Sequence, residues 1–126
     1  MKLIRDTSSR GHTITAYGPG WFEVAGAHIE TSLIIMPDRL ISDWARGLGS
    51  EPEPLSASQL ASLAELGCAI LLLGTGSSQR FPERHLLRPI LRAGMGIEIM
   101  TTPAACRTYN LLASEGRSVA AALLPV

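Results

Sequence analysis

Aromatic and charged side chains are scarce in this sequence of 126 residues. Aromatic residues make up 5% of the chain, which is too few for a surface that stacks nucleic-acid bases. The 11 basic and 11 acidic residues cancel, so the chain lacks the basic excess that neutralises phosphates in nucleic-acid-binding proteins. We therefore expect no nucleic-acid partner. Because only 17% of the residues are charged, we expect much apolar surface to be buried within the chain or against a partner.

Cysteines and long apolar runs are also scarce. Cys68 and Cys106 are too few for a disulfide framework, and both lie in apolar segments, which predicts a reducing, cytoplasmic compartment. The N-terminus has no apolar run of the kind that secretory signals contain. The longest apolar run, residues 68–73, is too short to span a bilayer. We therefore expect no direct insertion into a membrane.

The sequence has no recognisable catalytic or metal-binding pattern. His12, His28 and His85 are scattered, and they have no metal-ligand spacing with the two cysteines. No nucleophile-elbow motif surrounds a serine. We therefore predict no metal and no cofactor, and whether the protein is an enzyme stays open, with a non-enzymatic protein favoured. The alternative is a redox role for Cys106 in the first turn of a predicted helix, where the helix dipole lowers a thiol pKa, but we favour simple packing of this residue.

The first third of the chain has the pattern of an antiparallel β-meander. Residues 13–17 and 21–24 are typical of strands, and the Gly-Pro-Gly sequence between them predicts a hairpin turn. Residues 28–36 form either one longer strand or two short strands with a kink. Residues 1–12 are expected to be loosely ordered. Residues 40–44 are an apolar patch that the pattern does not assign.

Helices and strands alternate in the remaining two thirds, after a predicted loop at residues 47–54. The predicted strands are residues 68–73, 97–100 and 118–124. The predicted helices start at a capping box of Ser56 and Gln59, at Pro82, and at an N-cap Thr102 followed by Pro103. Pro89 should kink or split the second helix, residues 82–92, because proline lacks the N–H that bonds the preceding turn.

These elements predict a single domain, residues 1–126, with a three-layer α/β fold. The N-terminal antiparallel β-meander is followed by the order α-β-α-β-α-β around a mixed central sheet of about five strands. Helices cover this sheet, and the N-terminal hairpin packs against one side. We expect a monomer or a weak dimer, because short exposed strands can pair two chains.

A glycine-rich loop follows the apolar strand 68–73, at the place where open α/β sheets bind ligands. The loop has neither the Gly-Lys-Ser/Thr ending of a P-loop nor the third glycine of a dinucleotide fingerprint, because Gln79 occupies that position. One interpretation is a tight structural turn, and the other is a cradle of backbone N–H groups for an anion. The candidate ligand-binding residues are Gly74, Thr75, Gly76, Ser77, Ser78 and Arg80.

Two further sets of polar residues are candidates for a role. Arg80, Arg84, Arg88 and Arg92 would form one stripe on a helix, which is either a solvated face or a surface for phosphate or an acidic partner. The candidate structural residues are Thr102, Asn110 and Arg117. We expect the Asn110 side chain to hydrogen-bond a loop backbone such as that of residues 74–78, and Glu98 to be an exposed edge residue or a partner of Arg117.

Three segments of the chain resemble a known family. They are residues 71–76 (Leu-Leu-Leu-Gly-Thr-Gly), residues 94–102 (Gly-Met-Gly-Ile-Glu-Ile-Met-Thr-Thr), and residues 105–112 (Ala-Cys-Arg-Thr-Tyr-Asn-Leu-Leu) with the following residues 115–123. They resemble a small domain of unknown function that bacterial and archaeal hypothetical proteins share with the mitochondrial complex I assembly factor 3 family. The resemblance implies a three-layer α/β fold with a mixed five-stranded core sheet, a role in assembling the respiratory NADH:quinone oxidoreductase, and no established catalytic residues.

The expected function is therefore that of a non-enzymatic binding or assembly factor with a protein partner, by resemblance a subunit of the respiratory complex. Trp21, Phe22 and Trp44 would contribute to the partner surface if they are exposed. The alternative is a small-molecule or anion-binding protein, or a weak enzyme, that uses the loop 74–78 with Arg80.

Overall fold

The computed structural model describes residues 11–45 and 55–126 of the chain. Most of the segment expected to be loosely ordered, residues 1–10, and the predicted loop at residues 47–54 lie outside the described residues. His12, by contrast, is buried, and its backbone N–H donates to the carbonyl oxygen of Pro37 at 3.0 Å.

The predicted N-terminal meander is a separate three-stranded antiparallel sheet. Its strands are β1 (Ile14–Gly18), β2 (Trp21–Val24) and β3 (Ala27–Ile29), in the order β1-β2-β3. Gly20 closes the first hairpin with a φ of +78°, a conformation that glycine adopts without steric cost. The hairpin prediction is confirmed.

The next two strands leave the meander and join the central sheet. The alternative of two short strands within residues 28–36 is confirmed, because β3 ends at Ile29 and β4 (Leu33–Met36) pairs elsewhere. Strand β5 (Arg39–Ser42) pairs with β4 in antiparallel fashion and forms one edge of the sheet. The unassigned patch at residues 40–44 thus contains most of a strand. A strand of four residues is too short to be recognised from the periodicity of its apolar residues.

The central sheet has five strands in the order β5-β4-β8-β6-β7. Strands β6 (Ile70–Thr75), β7 (Gly96–Met100) and β8 (Val119–Leu124) are parallel, and β4 is antiparallel to β8, so the predicted mixed sheet is confirmed. Strand β6 starts and ends two residues later than predicted. Glu98 is exposed on the edge strand β7, where β6 separates it from β8 and therefore from Arg117.

Within the described residues, three helices and one 3₁₀ turn connect these strands. Helix α1 (Ala57–Leu63) starts at the predicted capping box, in which the Ser56 hydroxyl accepts from Gln59 N–H and the Gln59 side chain accepts from Ser56 N–H. The predicted second helix is split into a 3₁₀ turn (Arg84–Leu87) and helix α2 (Arg88–Arg92). Pro89 lies in the first turn of α2, where its missing N–H costs no hydrogen bond.

Helix α3 (Thr102–Ser114) starts one residue earlier than the sequence predicts. Its N-cap is Thr101, which has an extended backbone and accepts a hydrogen bond from Ala104 N–H, whereas Thr102 is the first helical residue. The prediction of Thr102 as the N-cap is wrong because the Thr102 hydroxyl bonds to other elements, described below. At the other end, Arg117 N–H donates to Leu112 O at 3.1 Å and closes the helix, while the Arg117 side chain is exposed.

Two hydrophobic clusters, one on each face of the central sheet, confirm the three layers. On one face, α3 and the three-stranded sheet cover β4, β6 and β8, and the largest buried side chains include Phe22, Leu72 and Tyr109. On the other face, α1, the 3₁₀ turn and α2 cover the same strands through Leu60, Leu63 and Ile90. Burial of these side chains supplies the main free energy that holds the layers together.

Asn110 joins the three-stranded sheet to α3. Its side-chain amide donates to Ile14 O at 2.8 Å, and its side-chain oxygen accepts from Ile14 N–H at 2.9 Å. Asn110 therefore bonds the edge of β1 as a neighbouring strand would, and not the backbone of residues 74–78 as expected. Nearby, the Tyr109 hydroxyl donates to His12 O at 2.9 Å, so that two adjacent residues of α3 fix the start of the described chain.

Replacing Asn110 by alanine should lower the free energy of unfolding by about 1–3 kcal/mol, because both Ile14 backbone groups lose their partner. This loss outweighs the small gain in helix propensity. Urea unfolding monitored by circular dichroism measures the change. The control is Leu111→Ala, which truncates an adjacent side chain that is 60% exposed and should change stability by less than about 0.5 kcal/mol. Equal effects of the two substitutions would contradict the proposed role of Asn110.

Candidate functional site

The carboxyl ends of the three parallel strands β6, β7 and β8 lie at one edge of the central sheet, beside the N-terminus of α3. The structure places the predicted ligand residues at this edge, but not all of them in a loop. Gly74 and Thr75 are the last two residues of β6, and the turn begins only at Gly76. Ser77, Ser78 and Arg80 follow and are exposed.

The hydroxyl of Thr102 links three elements at this edge. It donates to Leu124 O at the end of β8 at 2.6 Å, and it accepts from Gly76 N–H at 2.8 Å. The backbone N–H of Thr102 in turn donates to Gly76 O at 2.9 Å. Because Thr102 is fully buried, each of these bonds satisfies a polar group that has little access to water. The prediction that Thr102 has a structural role therefore agrees with its contacts.

A second hydroxyl, that of Thr75, closes the turn from inside. The Thr75 hydroxyl donates its proton to Ser78 O, at 2.7 Å, or to Met100 O, at 3.2 Å. The same oxygen accepts a hydrogen bond from Arg80 N–H at 3.1 Å. The Gln79 side chain donates to Ile99 O at 2.9 Å and thereby attaches the turn to the edge strand β7. The amides of Gly76 and Arg80 thus bond to threonine hydroxyls of the protein itself.

Gly74 allows the start of α3 to approach β6 closely. A Cβ atom at this position would lie 2.9 Å from Leu123 Cδ2, 3.0 Å from Thr102 Oγ1 and 3.1 Å from Thr102 Cα. The absence of a side chain at this position therefore permits the close packing between helix and strand. Gly76 has a φ of +87°, which the tight turn after β6 requires.

These contacts favour the structural interpretation of the turn. Two of the backbone N–H groups that an anion cradle would use already have partners within the protein, and the N–H of Thr102 at the start of α3 has one as well. The exposed side chains of Ser77, Ser78 and Arg80 are not engaged in this way. Anion binding by these residues stays a prediction, and it would have to rely on side chains at the surface.

Burial determines the chemistry of the two cysteines. Cys106 is buried against β1, and desolvation raises the pKa of its thiol to about 12 although the nearby Arg107 charge lowers it. Burial also raises the pKa of Cys68, partly offset by backbone hydrogen bonds and by Arg39. Both thiols therefore remain protonated at neutral pH, and the thiolate is the reactive form. The packing interpretation of Cys106 is favoured over the redox alternative.

The three aromatic residues considered for a partner surface differ in burial. Phe22 is fully buried in the core beneath the three-stranded sheet. Trp44 donates its indole N–H to Leu123 O at 3.2 Å, and Trp21 stacks on His28 with 5.2 Å between the ring centroids. Trp21 and Phe22 are successive residues of β2 and lie on opposite faces of it, so Phe22 is excluded from a partner surface, whereas Trp21 and Trp44 are half-buried.

Two surface clefts join segments that are distant in sequence. One cleft of about 280 Å³ lies between β1 and α3 and is lined by Tyr17, Cys106 and Arg107, among others. The other, of about 380 Å³, lies between β5 and α1 and is lined by Arg39, Trp44 and Glu65, among others. Sequence reasoning missed both, because no local pattern indicates that these segments meet.

Neither a metal site nor a membrane span is found in the part of the chain that the structure describes. Within residues 11–45 and 55–126, no three His, Cys, Asp or Glu side chains are grouped so that they could hold a metal ion. No helix in the same ranges has the length and apolar character needed to cross a bilayer.

Comparisons with known proteins relate the whole fold to a family. A family model described as "Protein of unknown function (DUF498/DUF598)" matches residues 14–124. The NADH dehydrogenase (ubiquinone) 1 alpha subcomplex assembly factor 3 of Danio rerio is 31% identical over 125 residues, which cover 99% of this chain and 71% of that protein. An uncharacterized protein of Rhodobacter capsulatus is 35% identical over 115 residues, or 90% of this chain and 84% of that protein.

A solved structure has the same fold as this chain. The crystal structure of a Bordetella parapertussis protein superposes with a TM-score of 0.79 at 36% identity, and the match covers 96% of this chain and all of that one. The resemblance to the assembly factor 3 family and to bacterial proteins of unknown function is therefore confirmed.

Gly74→Ala should lower the free energy of unfolding by about 1–3 kcal/mol, because the added methyl group meets the backbone of Thr102, which cannot rotate away. The matched control is Gly96→Ala in β7, where a Cβ would find only Ala69 O at 3.7 Å. That substitution should leave stability within about 0.5 kcal/mol or raise it. Denaturant unfolding of both variants checks the prediction, and an unchanged Gly74→Ala variant would contradict the close approach of α3 to β6.

Proposed function

The chain belongs to the DUF498/DUF598 family of proteins of unknown function, and we propose that it is a non-enzymatic binding or assembly factor for the respiratory NADH:quinone oxidoreductase. The observation that carries the proposal is the match to assembly factor 3 along 99% of this chain. The similarity therefore extends over a complete set of packed layers and is not confined to one motif. The proposed partners are subunits of that complex.

The chemistry of the described residues supports binding over catalysis. At the edge of the sheet where α/β enzymes commonly bind substrates, the hydroxyls of Thr75 and Thr102 bond to the backbone of the turn after β6. The thiol of Cys106 is buried, with a raised pKa. A protein with these features acts most simply through its surface, by holding or shielding a partner subunit until that subunit is incorporated.

The proposed site of action is the cytoplasm, with the chain folded as a single domain that is a monomer or a weak dimer. Cys68 and Cys106 are both free thiols, which is the usual state of cysteines in a reducing compartment. The chain matches 71% of the length of the fish assembly factor and 67% of the bovine one. The assembly activity of those whole proteins is therefore proposed for this chain and rests on the part of them that it matches.

Deletion of the gene in a host that carries NADH:quinone oxidoreductase tests this function. We expect less fully assembled complex on native gels and lower NADH oxidation by the membranes, because unassembled subunits lack their binding partner. Expression of the wild-type chain from a plasmid should restore both. Succinate dehydrogenase activity of the same membranes serves as the control and should not change. Normal assembly and normal NADH oxidation in the deletion strain would refute the proposal.

A further inference from the structure

Strand β1 is an edge of the three-stranded sheet, and its free side faces α3 across a cleft. Because the strand order is β1-β2-β3, only one side of β1 is paired with a strand of its own sheet. The cleft of about 280 Å³ is lined by residues 14–17 of β1 and by Cys106, Arg107 and Asn110 of α3. An unpaired strand edge offers backbone N–H and C=O groups to another extended chain.

Asn110 shows that an amide group can pair with this edge. Its side-chain oxygen accepts from Ile14 N–H at 2.9 Å, and its side-chain amide donates to Ile14 O at 2.8 Å. Exchange of both bonds with a single residue is the pattern of a hydrogen-bonded pair in an antiparallel ladder. The backbone groups of Ile14 therefore point away from β2, and Asn110 occupies the position that a residue of an added strand would take.

The backbone of Tyr17 points in the same direction as that of Ile14. In the ladder between β1 and β2, Ile14 is opposite Val24 and Tyr17 is opposite Phe22, and one irregularity adds a residue to β1 between them. Val24 and Phe22 are two residues apart on β2, so the alternation of the ladder gives both pairs the same type. Among the described residues, no group outside the three-stranded sheet bonds to the Tyr17 backbone. Tyr17 therefore presents one N–H and one C=O to the cleft.

The charge beside the cleft favours an acidic ligand. Arg107 is exposed, and it has no ion pair within the part of the chain that the structure describes. A residue paired with Tyr17 would carry its side chain on the same face of the sheet as Phe22, which is the face turned toward the core and α3. Glu23 lies on the opposite face, because it follows Phe22 directly in β2. A carboxylate opposite Tyr17 would thus lie on the side of Arg107, away from the negative charge of β2.

We propose that the cleft between β1 and α3 binds a short, extended, acidic segment of a partner protein. The segment adds to β1 as a fourth antiparallel strand, with an acidic residue opposite Tyr17. Its backbone exchanges two hydrogen bonds with Tyr17, and Arg107 selects the carboxylate. Because Asn110 occupies the position opposite Ile14, the segment extends by only about one residue beyond the acidic one in that direction. This site goes beyond the proposed function, because it specifies how a partner is held and not to which complex the partner belongs.

Titration of the purified, isotope-labelled chain with synthetic peptides tests this site. The probe is a pool of acetylated and amidated tetrapeptides with glutamate at the third position and random residues elsewhere. We expect the backbone amide signal of Tyr17 to shift in a saturable way. A pool with N-methylglutamate, which lacks the donor for Tyr17 O, should bind at least roughly tenfold more weakly. Equal binding of the two pools, or no saturable shift of the Tyr17 signal, would overturn the proposal.

A substitution on α3 tests the contribution of charge. Arg107→Gln should bind the glutamate pool severalfold more weakly and should no longer prefer it to a pool with glutamine at the same position. The matched control is Arg92→Gln, which removes an exposed arginine from α2 on the other face of the central sheet and should bind like the wild type. Thermal unfolding confirms that both variants are folded. Equal binding by the two variants would refute the role of Arg107.

Dilution of the chain without peptide tests whether a second copy occupies this edge. We expect the Tyr17 amide signal to stay in place as the protein concentration is changed, because the edge is free until a partner segment binds. A signal that moves with protein concentration would show that two copies pair through β1, and would contradict the proposed occupant.

Discussion

The Thr102 hydroxyl is the polar group on which the arrangement of the central sheet and α3 depends. It bonds at once to the end of β8, through Leu124 O, and to the first residue of the turn after β6, through Gly76 N–H. Thr102 is completely buried, so neither bond can be replaced by water at low cost. The absence of a side chain at Gly74 is what brings the helix near enough for these bonds to form.

This arrangement engages backbone groups at the edge of the sheet where α/β proteins commonly bind ligands. In open α/β sheets the carboxyl ends of the strands commonly leave backbone amides and a helix N-terminus free for a ligand. Here the amides of Gly76, Arg80 and Thr102 bond to groups of the protein. The two clefts, between β1 and α3 and between β5 and α1, lie away from this edge of the sheet.

The sequence predicts those parts of the fold that local signals specify. The Gly-Pro-Gly turn, the capping box at Ser56 and the split near Pro89 each depend on a few neighbouring residues, and the structure has all three. The mixed five-stranded sheet follows from the alternation of helices and strands and from the family resemblance.

Features that depend on tertiary contacts could not be predicted in this way. Pro103 favours Thr102 as the N-cap in sequence, because proline is common at the first helical position, whereas the bonds of the Thr102 hydroxyl to Gly76 and Leu124 leave Thr101 as the N-cap. The bond between Asn110 and the edge of β1 joins residues 96 positions apart. The exposure of Phe81 and the burial of Phe22 likewise depend on which elements cover each ring.

Titration of the isotope-labelled protein with inorganic phosphate, followed by the backbone amide signals of Gly76 and Arg80, tests the central claim most directly. If the two threonine hydroxyls hold these amides, neither signal should shift in a saturable way as phosphate is added. Any small shifts should be confined to exposed residues such as Ser77 and should not saturate. Saturable shifts of the Gly76 and Arg80 signals would show instead that the turn after β6 opens to bind an anion, and would contradict the structural role assigned to it.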